Sequence, residues 1–301
     1  MAKIKGIFIY SDYPSKALSI ERIIDYLRDY GFFAQCRGNI FEFLDPTREE
    51  AIELSRRVAE GRVLDISAPI NEIREPIYGE IDVELSNLRD GGSSLGVLYD
   101  GLWLQRIFHK IMSEKIPEFT SGSIHVIFTS RLFGTFEASD YSKSLPFDNY
   151  HVSDEKEDTD ASAMKSRRPS LTYSSDMYPG SQRYHARVIV MGLPSLISTS
   201  GIVEAPARPK DYYWLKAGFI RMGKDIRELD LIYKGKFIEY DDSRITEALS
   251  PYLLQSVFYE LTGSPFCDNP ACCLYNSHWQ EEVLMTQVKG KLCKEHAKLI
   301  I

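Results

Sequence analysis

The first forty residues contain two apolar runs with one helical pattern between them. The run KIKGIFIY predicts a strand, and the apolar residues between Ile20 and Leu27 recur at the 3.6-residue period of a helix. Gly31 ends that helix, after which FFAQCRG predicts a second strand. We expect Cys36, within this strand, to be a small buried side chain. This order predicts the opening of an α/β fold.

The same helical period recurs twice before residue 120. DPTREEAIELSRRVAEGRVLDI predicts a helix with Asp45 or Thr47 at its N-cap and Gly61 at its end. YDGLWLQRIFHKIMSEKIP predicts another helix, which Pro117 ends. Residues 68–95, which lie between the two, are polar, and we predict a loop around DGGSS.

The centre of the chain has two apolar segments separated by a biased one. SIHVIFTSRLF and RYHARVIVMGLPSLIS each predict a strand. Residues 142–182, between them, are rich in Ser, Asp, Lys and Pro and lack an apolar period, so we predict a mobile surface insertion. Further on, FIRMGKDIRELDLIYKGKFIEY fits strand alternation and short helices equally well.

The last strong helical pattern precedes a group of cysteines. Pro251 follows Ser250, which predicts that a new helix starts there with Ser250 as its N-cap. A broad apolar stripe and then Gly263 predict that this helix covers residues 251–262. The segment PFCDNPACCLYNSHW follows and opens a C-terminal tail at 263–301. We predict that the whole chain, 1–301, is one domain.

Composition and charge exclude several classes of function. Of the 301 residues, 44% are hydrophobic and 26% charged, which is ordinary for a folded globular protein. The net charge of −7 argues against a nucleic-acid surface, because phosphate binding needs a clustered basic face. The apolar run at the N-terminus is too short for a signal sequence or a membrane span. We therefore predict a cytoplasmic protein with no nucleic-acid or membrane partner.

The cysteines predict a metal site. Five cysteines are an odd number, four of them lie in the last 35 residues, and a reducing cytosol disfavours disulfides. A Cys-x4-Cys pair and a Cys-x2-His pair, twenty residues apart, have the spacing of tetrahedral zinc ligands. Four protein ligands leave no position for water, so we predict one structural zinc ion. Its predicted ligands are Cys267, Cys272, Cys293 and His296.

Cys273 leaves an ambiguity in this ligand set. It could take the place of Cys272 or of His296. Adjacent cysteines rarely both ligate one ion in a small site, so we expect Cys273 to point into the core. Asn269 and Pro270 favour a tight turn within the first pair, and GKLCKEHAKL places the second pair at the beginning of a helix.

The segment CDNPACCLY resembles the start of the zinc-binding tail of archaemetzincins, metzincin-type zinc peptidases of archaea and of some bacteria and eukaryotes. In that family HExxHxxGxxHC runs into Cys-x4-Cys-x-Met, and a later Cys-x2-Cys closes a structural zinc site. The resemblance implies a metzincin-like α/β (α+β) fold with a mixed, mostly parallel sheet, packed helices and a zinc-binding tail. It also implies an archaeal protein. Leu274 replaces the family's methionine, and His296 stands where the fourth cysteine would be.

The catalytic half of the family pattern is missing. Gly263 matches the family's glycine, but Val257 stands where the general-base glutamate would be. Valine cannot accept a proton, and a hydroxyl, a carboxylate and a phenyl ring cannot hold a catalytic zinc. The resemblance therefore implies no catalytic residues, and a pseudoenzyme that binds a peptide or protein in the cleft beside the 251–262 helix. The positions of the three zinc histidines are held by Ser256, Glu260 and Phe266.

Two alternatives stay open. An active hydrolase could have rebuilt its metal site around Glu260, with partners from a set of scattered donors. A zinc module could bind nucleic acid through the lysines around CKEHAKL, against the negative net charge. The donors of the first alternative are His278, Glu281, Glu282, His125 and His185, and the lysines of the second are Lys289, Lys291, Lys294 and Lys298.

Overall fold

A computed structural model describes residues 4–66, 75–91, 96–120, 122–135 and 184–300. The insertion predicted at 142–182 and most of the DGGSS loop lie outside the described residues. Within them, no helix is both long enough and apolar enough to span a bilayer.

Nine strands form two sheets in the described part of the chain. The five-stranded sheet has the order β2-β1-β5-β9-β8, parallel throughout except for β8, which pairs antiparallel with β9 at one edge. The four-stranded sheet has the order β3-β4-β6-β7. The strands are β1 (Gly6–Asp12), β2 (Ala34–Asn39), β3 (Arg62–Val63), β4 (Leu98–Asp100), β5 (Ser123–Thr129), β6 (Leu132–Thr135), β7 (His185–Arg187), β8 (Ile189–Val190) and β9 (Ser195–Ser198).

Helices accompany both sheets, which confirms the mixed α/β (α+β) fold. A π-helical turn, Val283–Gln287, continues directly from the short helix Gln280–Glu282. The helices are α1 (Ile20–Asp29), α2 (Ile40–Leu44), α3 (Arg48–Glu60), α4 (Tyr78–Asp90), α5 (Gly101–Lys115), α6 (Gly201–Glu204), α7 (Lys210–Arg221), α8 (Ile226–Ile232), α9 (Ile245–Thr262), α10 (Gln280–Glu282) and α11 (Lys294–Ala297).

The core has one apolar cluster on each face of the large sheet. Side chains alternate faces along a strand, so Ile7 and Ile9 of β1 join one cluster and Tyr10 joins the other. The first cluster packs α1, α9 and the cysteine-rich tail against the sheet, and the second packs α2, α3 and α5 against it. Strand β5 is buried along its whole length, as expected for a central parallel strand.

Local sequence sets several helix ends. Thr47 caps α3 by accepting from the Glu50 backbone N–H at 3.2 Å, while the Glu50 carboxylate accepts from the Thr47 backbone N–H at 2.8 Å. Asp100 caps α5 through the backbone N–H groups of Leu102 and Trp103. Asp45, the other candidate cap, ends α2 instead in a left-handed conformation.

The helix break predicted at Pro251 is wrong. Helix α9 already begins at Ile245 and runs through Pro251, and thirteen of its eighteen residues are buried. A proline inside a helix removes one backbone hydrogen bond, at a cost of about 3 kcal/mol. Burial of both flanking turns outweighs that cost, and Ser250 donates its hydroxyl proton to the Thr246 carbonyl oxygen at 2.7 Å rather than capping a new helix.

Other local predictions fail because tertiary position decides them. Cys36 is exposed, since β2 is an edge strand of which only Ala34 is buried. SIHVIFTSRLF is not one strand but two, β5 and β6, which belong to different sheets. Two stretches without a definite prediction are partly helical: the polar stretch after residue 68 contains α4, and the segment after residue 218 contains α8, in agreement with one of its two alternatives.

Candidate metal centre

The buried helix α9 leads the chain to the cysteine group. Its end is set by Gly263, which has a φ of +73° and donates its N–H to the Tyr259 carbonyl oxygen at 2.8 Å. Only glycine adopts this conformation without strain. The chain then leaves the helix and reaches Cys267 four residues later.

A tight turn separates Cys267 from Cys272. The Cys272 N–H donates to the Asn269 carbonyl oxygen at 3.0 Å, and the Asn269 side-chain oxygen accepts from the Ala271 N–H at 3.0 Å. The turn predicted from Asn269 and Pro270 is confirmed, and it returns the second cysteine toward the first.

The second pair of predicted ligands lies at the start of α11. Cys293 precedes the helix and His296 lies within its single turn, as predicted. The Cys273 N–H donates to the Lys291 carbonyl oxygen at 3.1 Å, which holds the two pairs together. The His296 ring packs edge-on against the Phe258 ring of α9, with centroids 5.2 Å apart. Helix α9 therefore orients the imidazole directly.

The four side chains converge on one point. One ligand atom from each of Cys267, Cys272, Cys293 and His296 lies within 4.8 Å of all the others. The Sγ atoms of Cys267 and Cys293 are 3.9 Å apart. A tetrahedral zinc site with Zn–S bonds of about 2.3 Å has an S–S edge of about 3.8 Å. The spacing fits a tetrahedral ion and is too long for a disulfide.

Backbone N–H groups point at two of the sulfurs. The Asn269 N–H donates to Cys267 Sγ at 3.4 Å, and the Cys293 N–H donates to Cys272 Sγ at 3.4 Å. Hydrogen bonds of this kind favour the charged thiolate, which is the form that binds a metal.

The thiol pKa values show what a cation would change. Burial raises the pKa of Cys267 to about 11, and the hydrogen bond to Cys273 together with burial raises the pKa of Cys272. Burial acts to raise the pKa of Cys293 too, but hydrogen bonds with His296 bring it below its ordinary value. Three adjacent thiolates repel one another in the absence of a cation. A bound divalent ion removes that repulsion and keeps its cysteine ligands deprotonated.

Cys273 lies outside this group. It is fully buried, and the Tyr26 hydroxyl of α1 approaches its sulfur at 3.8 Å. Its side chain belongs to the apolar cluster that joins α1, α9 and the tail.

Comparison with protein families matches residues 3–143 and 153–301 to a family described as "Probable metallopeptidase family (DUF6775)". The chain belongs to this family. The short gap in the match, 144–152, falls within the predicted insertion. Searches of curated proteins and of solved structures find no significant match. Membership of a metallopeptidase family implies a metal, and the Cys3His group supplies suitable donors for one.

Most metallopeptidases need a second kind of site, in which water completes the coordination of the metal. Among the described residues, the Cys3His group is the one set of three or more His, Cys, Asp or Glu side chains close enough to hold an ion. It supplies all four ligands itself, so it does not have the open position of a catalytic centre.

The positions aligned with the metzincin histidines do not form a donor set. Ser256 and Val257 are buried in the core, and Ser256 Oγ has no hydrogen-bond partner among the described residues. Glu260 is exposed, and its carboxylate accepts from the Gly122 N–H at 3.3 Å. Phe266 is 39% exposed and offers no donor atom. These side chains do not fit a catalytic metal.

The donors named for a rebuilt catalytic site are hydrogen-bonded to other groups or exposed elsewhere on the protein. The Tyr10 hydroxyl donates to Nδ1 of His125 at 3.1 Å, and Nε2 of His125 donates to the Glu118 carbonyl oxygen at 3.3 Å. Burial lowers the pKa of His125 to about 4, so it is neutral at pH 7. Both ring nitrogens are thus engaged in the core.

The donors near His278 lie at the beginning of a helix. The Glu282 carboxylate accepts from the backbone N–H groups of His278 at 2.7 Å and of Trp279 at 3.1 Å, which caps α10. Glu281 follows in the same first turn, and both His278 and Glu281 are exposed. His185 is exposed on β7, in the other sheet.

Sequence reasoning missed a buried group of charges near the ends of β1 and β5. Nε of Arg131 donates to Asp12 at 3.0 Å, and a second nitrogen of Arg131 donates to Glu84 at 2.6 Å. All three side chains are at most 5% exposed. No local pattern reveals this group, because its members are far apart in sequence, and its contacts indicate a structural role.

Proposed function

We propose that this member of the metallopeptidase family holds one structural zinc ion and uses its peptidase-like scaffold to bind a peptide or protein without hydrolysing it. The observation that carries the proposal is the closed Cys3His group, whose four ligand atoms lie within 4.8 Å of one another. The proposed ligands are Cys267, Cys272, Cys293 and His296.

The donor chemistry supports zinc in particular. Three thiolates and one imidazole form a soft to borderline set, and zinc accepts such sets in tetrahedral geometry without a redox change. Oxygen-seeking ions such as Mg²⁺ and Ca²⁺ are poorly matched to sulfur.

The proposed role of the ion is to join the tail to the core. Cys267 and Cys272 follow the end of α9, whereas Cys293 and His296 lie at the start of α11. Zinc binding energy in a site of this kind is folding energy, because the ligands converge only in the folded chain. The ion would hold His296 against Phe258 and thereby keep the tail on α9.

The archaemetzincin likeness supports loss of catalysis. The structural half of that pattern is present, and the catalytic half is replaced by side chains that neither bind zinc nor activate water. We infer from the same likeness that the protein is an archaeal relative of the archaemetzincins. We also propose that the chain is a single domain whose tail at 263–301 forms the zinc knuckle.

A peptide partner is supported by the edge of the large sheet. Strand β8, Ile189–Val190, is the last strand on that side and pairs only with β9 within the described residues. An extended peptide can add to such an edge through backbone hydrogen bonds. The proposed partner is therefore a peptide or protein segment in extended conformation.

Metal stoichiometry tests the proposal. We expect one tightly bound zinc ion per chain, retained in Glu260→Ala and in the control Cys36→Ser, and lost in Cys267→Ser. Extended fluorogenic peptides should bind and stay intact by mass spectrometry. A second equivalent of zinc that Glu260→Ala removes, together with peptide cleavage, would instead establish an active hydrolase with a rebuilt site.

A further inference from the structure

Residues 208–236 form a helical hairpin, α7 and α8, with a small core of its own. The rings of Tyr212 and Tyr233 meet edge to face, with centroids 5.2 Å apart, and the Tyr233 hydroxyl donates to Asp211 at 2.6 Å. The inner faces of the two helices therefore pack against each other. The core of the hairpin consists of Tyr212, Phe219, Leu229 and Tyr233, together with Phe237, the residue directly after it.

The outer faces of this hairpin are unusually apolar. Eight of the twenty large hydrophobic side chains that are exposed in the described part of the chain lie within residues 213–232. Trp214 is 82% exposed, Leu231 73%, and Met222 61%. Isolated exposed apolar residues are normal, but such a concentration marks an interaction surface.

The exposed residues of α7 follow helical spacing. Tyr213, Ala217 and Ile220 are separated by four and three positions, so they share one face of the helix. This face lies beside the one that carries the buried Tyr212 and Phe219, and the Tyr213 ring contacts the Tyr212 ring edge-on, with centroids 5.6 Å apart. Helix α7 is therefore apolar over a wide arc, of which the hairpin core buries only a part.

The hairpin also differs in charge from the rest of the chain. Residues 208–236 contain eight Lys and Arg and four Asp and Glu, a formal charge of +4, in a chain whose net charge is −7. Exposed Trp and aliphatic residues flanked by Lys and Arg are the pattern of helices that lie in a membrane interface. Anionic lipid headgroups attract such a surface by about 1 kcal/mol per cation.

A second copy of the chain fits this surface less well. A twofold dimer would place the same patch against itself, so that the cations of one hairpin would face those of the other. A lipid surface with anionic headgroups complements both the charge and the apolar side chains.

We propose that the α7–α8 hairpin binds to anionic phospholipid surfaces, with Trp214 in the interface. The expectation of no membrane partner rested on the absence of a segment long enough to span a bilayer. A hairpin that lies on the surface needs no such segment. The proposal is independent of the metal centre and of peptide binding.

Vesicle binding tests the proposal with the full chain. We expect co-sedimentation with vesicles of phosphatidylglycerol and phosphatidylcholine, at least about tenfold weaker with phosphatidylcholine alone or in about 0.5 M salt, where charges are screened. Tryptophan emission should shift to the blue on binding, because Trp214 is largely exposed in the free protein. Absence of binding to the anionic vesicles overturns the proposal.

Matched variants locate the surface. Arg221→Gln with Lys234→Gln should weaken binding about 25-fold, at about fivefold per cation, whereas Arg106→Gln with Lys110→Gln on α5 should have no effect. Trp214→Ser should abolish the blue shift and weaken binding, whereas Phe33→Ser, at another exposed site, should not.

The variant results can also contradict the proposal. Equal losses in both double variants, or unchanged binding by Trp214→Ser, overturn it, provided that circular dichroism shows folded proteins. A concentration-dependent dimer that Trp214→Ser dissociates, without vesicle binding, would assign the hairpin to a second copy instead.

Discussion

Cys267 Sγ lies 3.9 Å from Cys293 Sγ, although 26 positions separate the two residues. The distance is close to an edge of a zinc–thiolate tetrahedron, at about 3.8 Å. Backbone hydrogen bonds, such as the one from the Cys273 N–H to the Lys291 carbonyl oxygen, help to bring the two pairs of ligands together.

Substitution of a proposed ligand should release the metal and destabilise the protein. We expect Cys272→Ser to lose zinc and to lower the free energy of unfolding by at least about 4 kcal/mol, as loss of a structural metal does. Zinc content and urea denaturation measure both effects. Cys36→Ser is the matched control, because Cys36 is exposed on an edge strand and should change neither. A zinc-free Cys272→Ser protein of unchanged stability would contradict a structural role for the metal.

Acid should destabilise the protein through His125. Its pKa is lowered to about 4 by burial, against an ordinary value of 6.5. As the pH falls below about 6.5, the unfolded chain takes up a proton that the folded chain does not, so stability decreases until about pH 4. The free energy of unfolding falls by about 3 kcal/mol over this range, and His125 does not affect it above pH 7.

His125→Gln isolates this effect from acid-induced loss of metal. Urea denaturation of the variant between pH 4 and pH 7 should show a shallower decline than that of the unsubstituted protein. Zinc content is measured in parallel, and it should depend on pH in the same way for both. An identical slope for the two proteins would exclude His125 as the group responsible.

Removal of the buried cation should be costly. Arg131→Met leaves Asp12 and Glu84 without the cation that both contact, in an environment where neither carboxylate is more than 3% exposed. We expect a loss of about 3–5 kcal/mol in the free energy of unfolding. Arg28→Met, which breaks an exposed pair with Asp25, should cost less than about 1 kcal/mol. Equal costs for the two variants would contradict this account.

The end of α9 should depend on Gly263. Its φ is +73°, and an added Cβ would meet no atom within 4 Å, so Gly263→Ala measures conformational strain alone. We expect a cost of about 1 kcal/mol by urea denaturation. Gly79→Ala in α4 also meets open space but has an ordinary φ, and it should be neutral or stabilising by up to about 1 kcal/mol.

The candidate metal centre was predictable because its signals are local. The spacing from Cys267 to Cys272 and from Cys293 to His296 is a property of two short turns, and Asn269 marks the first of them. The capping box of Thr47 and Glu50 was predictable for the same reason. Such features depend on residues within a few positions of one another.

The failed predictions depend on long-range packing. Nothing near Pro251 reveals that the core surrounds α9 on both sides of it. Nothing near Cys36 reveals that β2 is an edge strand. The break between β5 and β6 falls at Arg131, whose ion-pair partners Asp12 and Glu84 are remote in sequence. Burial in the assembled sheet overrides local preference at each of these positions.

The pairing of β6 with β7 has a consequence for how this family can diverge. Thr135 and His185 are direct partners in that antiparallel pair, so the sheet brings together two positions that flank the predicted insertion. Closing a flexible connection costs only about 0.6 kcal/mol more for each doubling of its length. We therefore expect insertions and deletions at this junction to cost little and to leave the register of β6 and β7 unchanged.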